Sequence, residues 1–215
     1  RLLDGIGAPP RAPTVLPNCL EIDSLPPPVA REKLILFVGR LVAEKGPDAF
    51  LAACAAALPD LPGWRAEMIG ADRSRVDSPD TPFVRQLRAA AEAAGVALPG
   101  YRDHPQVLAA MRRAAIVVVP SRWAEPFGLV ALEAMACGAA LVCSPRGGLP
   151  DVAGDAALYA DPDRPGELAA ALRALGGDAA RREALAAAGV ARAAAFDLRA
   201  LAPRWAAFRR GRLGC

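Results

Sequence analysis

The sequence predicts an α/β fold built on an open, doubly wound parallel sheet. Short apolar runs alternate with segments of helical periodicity, and this alternation implies crossover helices between parallel strands. Several of the runs contain no polar residue, as expected of strands covered on both faces. Because the 215 residues show no internal repeat, one large domain with a well-buried core is the simplest organisation.

The elements can be placed in order along the chain. The run KLILFVG (33–39) predicts the first strand, and residues 47–58 predict a helix because proline stands in the first turn and apolar residues recur at helical spacing. Residues 71–82 are polar and broken by prolines, which predicts a loop. The other predicted strands are 64–70, 96–100, 115–120 and 139–144, and the other predicted helices are 83–94, 105–114, one beginning at Phe127, 165–175, 179–194 and 198–210.

Composition excludes several classes of protein. The longest apolar runs, FLAACAAAL and AAIVVV, fall far short of the roughly 20 residues that cross a bilayer, so they are assigned to the core of a soluble protein. No charged-then-apolar segment opens the chain, and a secretory signal is therefore not expected, although an excised domain would have lost one. The five cysteines are odd in number and lack C-x-x-C spacing, which indicates reduced thiols in a cytoplasmic protein.

The charge balance argues against a nucleic-acid partner. A formal charge of +3 is small, and aromatic residues make up only 5% of the chain, which leaves few side chains to stack on bases. A single small anionic ligand fits this composition better. In doubly wound sheets such ligands bind beyond the carboxyl ends of the strands.

The familiar phosphate-binding loops are absent. The segment GIGAPP (5–10) starts like a dinucleotide fingerprint, but it ends in proline and no predicted strand precedes it. The segment GRLVAEKG (39–46) lacks the Gly-Lys-Ser/Thr ending of a Walker loop.

Two further candidates have ordinary explanations. His104, the only histidine, precedes proline at a predicted helix start and has no neighbouring serine or cysteine, so a turn or capping role is favoured over catalysis. Asp161 and Asp163 flank a proline between a strand and a helix. A turn and helix cap is the favoured interpretation of this pair, ahead of a divalent metal site, and no metal is expected.

Three segments at predicted strand ends remain: GRLVAEKG (39–46), GY (100–101) and EPFGLVALEAMACG (125–138). With VVPS at a strand end and GGLPD (147–151), they resemble the donor-binding half of retaining GT-B glycosyltransferases of the group 1, or family 4, type. That group includes sucrose and glycogen synthases and bacterial mannosyltransferases. In order and spacing the resemblance covers residue 14 to about residue 175.

The resemblance implies a domain organisation as well as a fold. Residues 1–195 would form a Rossmann-like nucleotide-sugar binding domain, the C-terminal half of a GT-B fold. Residues 196–215 would form a helix that packs on an N-terminal acceptor-binding domain, which the 215 residues do not supply. The isolated domain is therefore expected to be inactive alone.

The resemblance also assigns roles to individual residues. Arg40 and Lys45 would neutralise the departing diphosphate. Glu125 would lie beside the donor sugar, and Glu133 would accept hydrogen bonds from the two ribose hydroxyls. The first helical amides after Glu125 would bind phosphate or sugar oxygens. The full set of expected donor-binding residues is Gly39, Tyr101, Arg102, Pro126, Phe127, Gly128, Leu129, Val130 and Glu133.

The expected substrate is a nucleoside-diphosphate sugar of the UDP or GDP type, with no cofactor and no metal ion. The acceptor would be a glycan or glycolipid held by the missing domain. The expected location is the cytoplasm, including the inner face of the membrane, which the basic, aromatic helix around Trp205 could touch. Two alternatives stay open: a GT-B nucleotide-sugar 2-epimerase, and a non-catalytic nucleotide-binding or scaffold domain.

One departure from the family pattern concerns local geometry. The family often has Pro-Asn-Gly-Val-Asp near the start of this domain, whereas this chain has PNCLE (17–21). Cys19 replaces a glycine that can adopt positive φ, so the conformation of this loop is an open question at the level of sequence.

Overall fold

The computed structural model describes residues 16–72, 80–164 and 166–213. The segment GIGAPP (5–10) and most of the predicted loop at 71–82, from 73 to 79, lie outside these ranges. The strands described are β1 (Glu32–Val38), β2 (Arg65–Ile69), β3 (Val96–Gly100), β4 (Ala114–Val119), β5 (Ala140–Cys143) and β6 (Ala157–Tyr159). The helices described are α1 (Pro47–Ala57), α2 (Pro82–Ala93), α3 (His104–Arg113), α4 (Leu129–Ala136), α5 (Leu149–Ala153), α6 (Glu167–Gly177), α7 (Ala179–Ala193) and α8 (Leu198–Leu213).

The strands form one sheet in the order β3-β2-β1-β4-β5-β6, and every neighbouring pair is parallel. The predicted doubly wound α/β fold is confirmed. Strand order reverses direction between β1 and β4, which creates a crevice at the carboxyl ends of these two strands. This crevice is where a ligand is expected in such a sheet.

The core lies in two layers, one on each face of the sheet. Along β4, Ile116 and Val118 pack on one side, whereas Val117 and Val119 pack on the other. The first layer includes residues of α1, α2 and α6, and the second includes residues of α3, α4 and α5. Because both faces are covered, the sequence of β4 is apolar throughout rather than alternating.

Most predicted element bounds agree with the structure within a residue or two, but the start of α4 differs. The sequence interpretation places Phe127 in the first helical turn, whereas α4 begins at Leu129. Gly128 has φ of 101°, a left-handed conformation that an α-helix does not contain, so it ends the preceding loop. The sequence interpretation also gave no bounds for the short elements α5 and β6.

Arg31 ties α3 and α4 together at their C-terminal ends. Its guanidinium donates to the carbonyl oxygens of Met111, Arg112 and Ala114 at the end of α3, at 3.3, 3.1 and 2.7 Å, and to that of Cys137 just after α4. Burial lowers the pKa of Arg31 below its ordinary value. One side chain therefore satisfies carbonyls that helix ends leave unpaired and fixes the two helices relative to each other.

The C-terminal helix follows a short turn at Ala194–Phe196. Phe196 packs edge to face on Phe127, with ring centroids 5.6 Å apart, and belongs to the main core. Trp205 on α8 is 38% exposed. That this helix packs on a further domain stays a prediction. In the described ranges, no helix has the length and apolar character needed to cross a membrane.

Candidate functional site

Two adjoining cavities open at the carboxyl ends of the central strands. The first, of about 320 Å³, lies at the β1/β4 crevice, and the second, of about 390 Å³, lies beyond β1, β2 and β3. Both are lined by Val38 and Gly39 at the end of β1, and the two adjoining cavities together are called the cleft. The first contains Asn18, Lys45, Ser121 and residues 125–130, and the second contains Arg40, Gly70, Tyr101 and Arg102.

The cleft brings together most of the residues that the sequence analysis selected. Lys45, Glu125 and the start of α4 line the first cavity, whereas Arg40 lines the second. The two cations therefore stand on either side of Gly39. Glu133 lies one turn into α4 and is not among the described residues that line these two cavities.

Glu125 is held by two side chains. Its Oε1 atom accepts hydrogen bonds from Lys45 Nζ at 2.5 Å and from Ser121 Oγ at 2.9 Å. The side chain of Glu125 is 12% exposed, and Ser121 is 1% exposed. This partial burial strengthens the ion pair relative to a surface pair and orients the carboxylate toward the cavity that it lines.

The loop that carries Glu125 is also anchored through its backbone. The amides of Arg122 and Trp123 both donate to the carbonyl of Glu44, at 2.8 and 3.0 Å, which joins this loop to the short turn that bears Lys45. On the other side, the amide of Gly148 donates to the carbonyl of Glu125 at 2.6 Å. The Lys45 and Glu125 segments are therefore fixed relative to each other before any ligand binds.

The two glycines of GGLPD permit this close packing. A Cβ atom added to Gly147 would lie 2.4 Å from both the N and the O of Glu125, and one added to Gly148 would lie 2.8 Å from the carbonyl oxygen of Pro126. Gly147 also has φ of 60°. A larger residue at position 147 would displace the segment that holds Glu125.

An ion-pair cluster also supports the loop that carries Glu125. Arg122 makes a two-pronged contact with Asp48, at 2.7 and 2.8 Å, and reaches Asp163 at 2.6 Å. Arg146 contacts both Asp161 and Asp163 at 2.7 Å. The hydrogen bonds that Arg122 donates to Asp48 and then to Asp163 raise the pKa of Arg122, and the two arginines hold the pKa of Asp163 below its ordinary value.

These contacts decide the role of the Asp161–Asp163 pair. The amide of Asp163 donates to Asp161 Oδ1 at 3.0 Å, as in the predicted turn. The predicted helix cap is wrong, because Gly166 precedes α6 and its conformation ends the turn instead. Within the residues that the structure describes, no group of three or more His, Cys, Asp or Glu side chains is arranged to hold a metal ion.

The first turn of α4 presents backbone amides to the first cavity. Gly128 at the helix cap has no side chain to accept from these amides, and the lining of the cavity includes Gly128, Leu129 and Val130. The positive end of the helix dipole and its unpaired N–H groups suit an anion at this point. Lys45, at the same cavity, adds a full positive charge.

Glu133 has a partner that sequence reasoning missed. The Nε2 atom of His104 lies 2.8 Å from Glu133 Oε1. The predicted capping role of His104 is wrong, because Asp103 accepts from the amide of Gln106 at 2.9 Å and forms the cap of α3. The sequence feature that could have indicated a role at the site is the position of His104, which follows the carboxyl end of β3 shortly after Tyr101 and Arg102.

Tyr101 and Arg102 occupy the exposed rim of the second cavity. Tyr101 is 50% exposed, and Arg102 donates to the carbonyl of Tyr101 at 2.8 Å.

The conformation of the loop at Cys19, which the sequence left open, does not require a glycine, since no non-glycine residue in the described part of the chain has positive φ. Ordinary backbone thus accommodates cysteine there.

The sheet order is that of a Rossmann-like fold, and the structure matches GT-B glycosyltransferases. Sucrose-phosphate synthase from Thermosynechococcus elongatus superposes with a TM-score of 0.79 and 27% identity, over 94% of this chain and 53% of that chain. Anabaena HepE, solved in complex with UDP-glucose, superposes with a TM-score of 0.73 and 22% identity, over 84% of this chain and 49% of that chain, a similarity of fold alone.

The sequence comparisons define the family. The profile of the glycosyl transferases group 1 family matches residues 24–192. A D-inositol 3-phosphate glycosyltransferase from Geodermatophilus obscurus is 36% identical over 92% of this chain and 47% of the relative. The chain belongs to the glycosyl transferases group 1 family, and it spans about half the length of this curated relative.

Proposed function

We propose that the cleft binds a nucleoside-diphosphate sugar and that the chain, within a longer enzyme, transfers the sugar with retention of anomeric configuration. The observation that carries this proposal is the cluster of Lys45, Glu125 and Ser121 at the amide end of α4. It places a cation and unpaired N–H groups beside a fixed carboxylate in one cavity. A diphosphate and the sugar attached to it need both kinds of group.

The charges suit a departing diphosphate. The ammonium of Lys45 has three donors, so it can hold Glu125 and a phosphate oxygen together. Arg40 and the first amides of α4 add further positive potential around the same space. Preorganised donors of this kind stabilise negative charge as it develops on a leaving group, and we propose that they do so without a metal ion.

The carboxylates have separate roles in this proposal. Glu125, fixed by Ser121 and Lys45, lies where it can stabilise positive charge at the anomeric carbon. Glu133 accepts hydrogen bonds from the ribose hydroxyls, and Tyr101 and Arg102 border the base. The adjoining cavities support a division between the groups that meet the diphosphate and sugar, which line the first, and the groups that border the base, which line the second.

The donor is of the UDP or GDP type, and the acceptor is a glycan, a glycolipid or an inositol phosphate. The first acceptor class follows from the family in general, and the last from the name of the 36% identical relative. The acceptor would be held by a part of the whole protein that is not this chain. The proposed setting is glycan biosynthesis at the cytoplasmic side of the membrane.

Calorimetry of the chain with UDP, GDP and ADP tests the proposal. The chain offers a matched pair of variants, because Lys33 and Lys45 are its only lysines and Lys33 lies at the amino end of β1, away from the cleft. Lys45→Ala should weaken binding of the preferred nucleotide about 10-fold or more, since a hydrogen bond to a charged group contributes about 1.5 to 3 kcal/mol. Lys33→Ala and added EDTA should leave binding unchanged.

The other outcomes decide between the alternatives. No binding of any nucleotide would overturn the proposal in favour of a scaffold domain. Nucleotide binding that EDTA abolishes would contradict metal independence. Formation of a 2-epimer from donor alone, by the full-length protein, would support the epimerase.

A further inference from the structure

We propose that His104 is a positioning residue for donor recognition that acts through Glu133. The inference rests on the proposed binding of a nucleoside diphosphate in the cleft. It is argued from a contact that the proposed function does not use: His104 Nε2 lies 2.8 Å from Glu133 Oε1, across 29 positions of sequence.

The hydrogen bond has a definite direction. The carboxylate of Glu133 only accepts, so the ring nitrogen of His104 donates. The side chain of Glu133 is 13% exposed, whereas that of His104 is 61% exposed. A nearly buried carboxylate therefore receives its hydrogen bond from a mostly exposed side chain.

The backbones on both sides of this contact are already fixed. Asp103 and Gln106 cap the start of α3 in both directions, at 2.9 and 3.2 Å. Arg31 ties the far ends of α3 and α4 together. The remaining freedom is in the rotamer of Glu133, and the contact with His104 restricts it.

The contact leaves Glu133 able to accept further hydrogen bonds. Each carboxylate oxygen has two lone pairs, so a Glu133 that accepts from His104 at Oε1 can still accept from two hydroxyls. A carboxylate held in place loses less side-chain entropy when the ribose binds. His104 would thus increase affinity only for ligands that carry the ribose hydroxyls.

The dependence on ribose hydroxyls distinguishes a positioning role of His104 from a purely structural role, in which His104 only links α3 to α4. A loosened link would weaken every ligand of the cleft to a similar degree. Loss of positioning should weaken a nucleoside diphosphate and spare its 2′,3′-dideoxy form, which offers Glu133 no hydroxyl. Direct contact of His104 with the base would also weaken both forms equally.

The experiment compares these two ligands by calorimetry, using whichever of UDP, GDP and ADP the wild-type chain binds best. His104→Ala should weaken the ribose form about 3- to 10-fold and leave the dideoxy form unchanged. His104→Gln should retain most of the affinity, because its amide nitrogen can stand near the position of Nε2. His104→Asn, which is too short, should behave like alanine and provides a second loss variant if His104→Ala unfolds.

Combination with Glu133→Ala completes the thermodynamic cycle. If His104 acts through Glu133, adding His104→Ala to Glu133→Ala should cause no further loss. Equal loss for both ligands, no loss for either, or full additivity with Glu133→Ala would overturn the inference while leaving the proposed function intact. Failure of the wild-type chain to bind any of the three nucleotides would overturn the proposed function and this inference together.

Discussion

The loop that carries Glu125 and the helix that carries Glu133 are stabilised in different ways. Backbone hydrogen bonds to Glu44 and from Gly148 fix the loop on both sides, and a cluster of arginines and aspartates supports it. Glu133 instead takes its position from a regular helix and a hydrogen bond with His104. A carboxylate in an irregular loop needs tertiary contacts to fix its backbone, whereas a helix fixes the backbone of its residues by its own local hydrogen bonds.

The largest expected effect comes from filling the space at Gly147. Gly147→Ala places a methyl group 2.4 Å from the backbone of Glu125, at φ of 60°. Gly95 is a matched control, with φ of 65° and no atom within 4 Å of its added Cβ. We expect Gly95→Ala to lower the free energy of unfolding by about 1 to 2 kcal/mol through φ alone.

Gly147→Ala should cost about 1 to 3 kcal/mol more than the control, because its neighbours are backbone atoms that must move. Urea denaturation measures both variants. Equal losses would show that the loop can shift freely. The claim that tertiary contacts fix the loop of Glu125 would then be wrong.

The second prediction separates the carboxylates by ligand binding. Glu133→Ala should weaken binding of the preferred nucleoside diphosphate by about 1 to 3 kcal/mol, because ribose hydroxyls lose their acceptor. Glu125→Ala should leave this binding nearly unchanged, since the proposed partner of Glu125 is the donor sugar, which a bare nucleoside diphosphate lacks. In a full-length enzyme, the same Glu125 variant should depress turnover. Calorimetry in which both variants lose similar affinity would mean that at least one role is wrongly assigned.

The fold could be predicted from the sequence because the patterns that predict its strands and helices are local. Apolar runs such as that of β4 and helical spacing such as that of α1 each lie within one segment, and their alternation dictates a parallel sheet. The three-residue strand β6 and the five-residue helix α5 are too short to show a period. Their bounds consequently emerged only from the structure.

The site was readable only in part. The spacing of Glu125 and Glu133 and the glycines around them identify the segments, and the family resemblance assigns their roles. The contacts of Ser121 and His104 with the two glutamates depend on how separate elements pack. His104 and Glu133 are 29 positions apart on different helices, and no periodicity in the sequence links them.

The third prediction concerns the charged support of the loop. Arg122 is 26% exposed and makes a two-pronged contact with Asp48, whereas Arg164 is 74% exposed and reaches its partners at 3.4 and 3.9 Å. Arg122→Ala should lower the free energy of unfolding by about 1 kcal/mol, and Arg164→Ala by less than about 0.5 kcal/mol. Thermal or urea denaturation that ranks the two variants in the opposite order would contradict the supporting role of Arg122.

The smallest expected effect is a pH dependence in the same cluster. Arg122 and then Arg146 hold the pKa of Asp163 below its ordinary value. A carboxylate with a lowered folded-state pKa contributes stability above its unfolded pKa of about 3.9, and this contribution is lost as the pH falls through the folded-state pKa. Asp163→Asn lacks the contribution at every pH. The difference in urea midpoint between wild type and Asp163→Asn should therefore be largest near neutral pH and shrink as the pH is lowered toward about 3. A difference that stays constant over this range would show that the charge of Asp163 does not help the arginines to hold the loop. The loop that carries Glu125 would then be fixed by its backbone hydrogen bonds and packing alone.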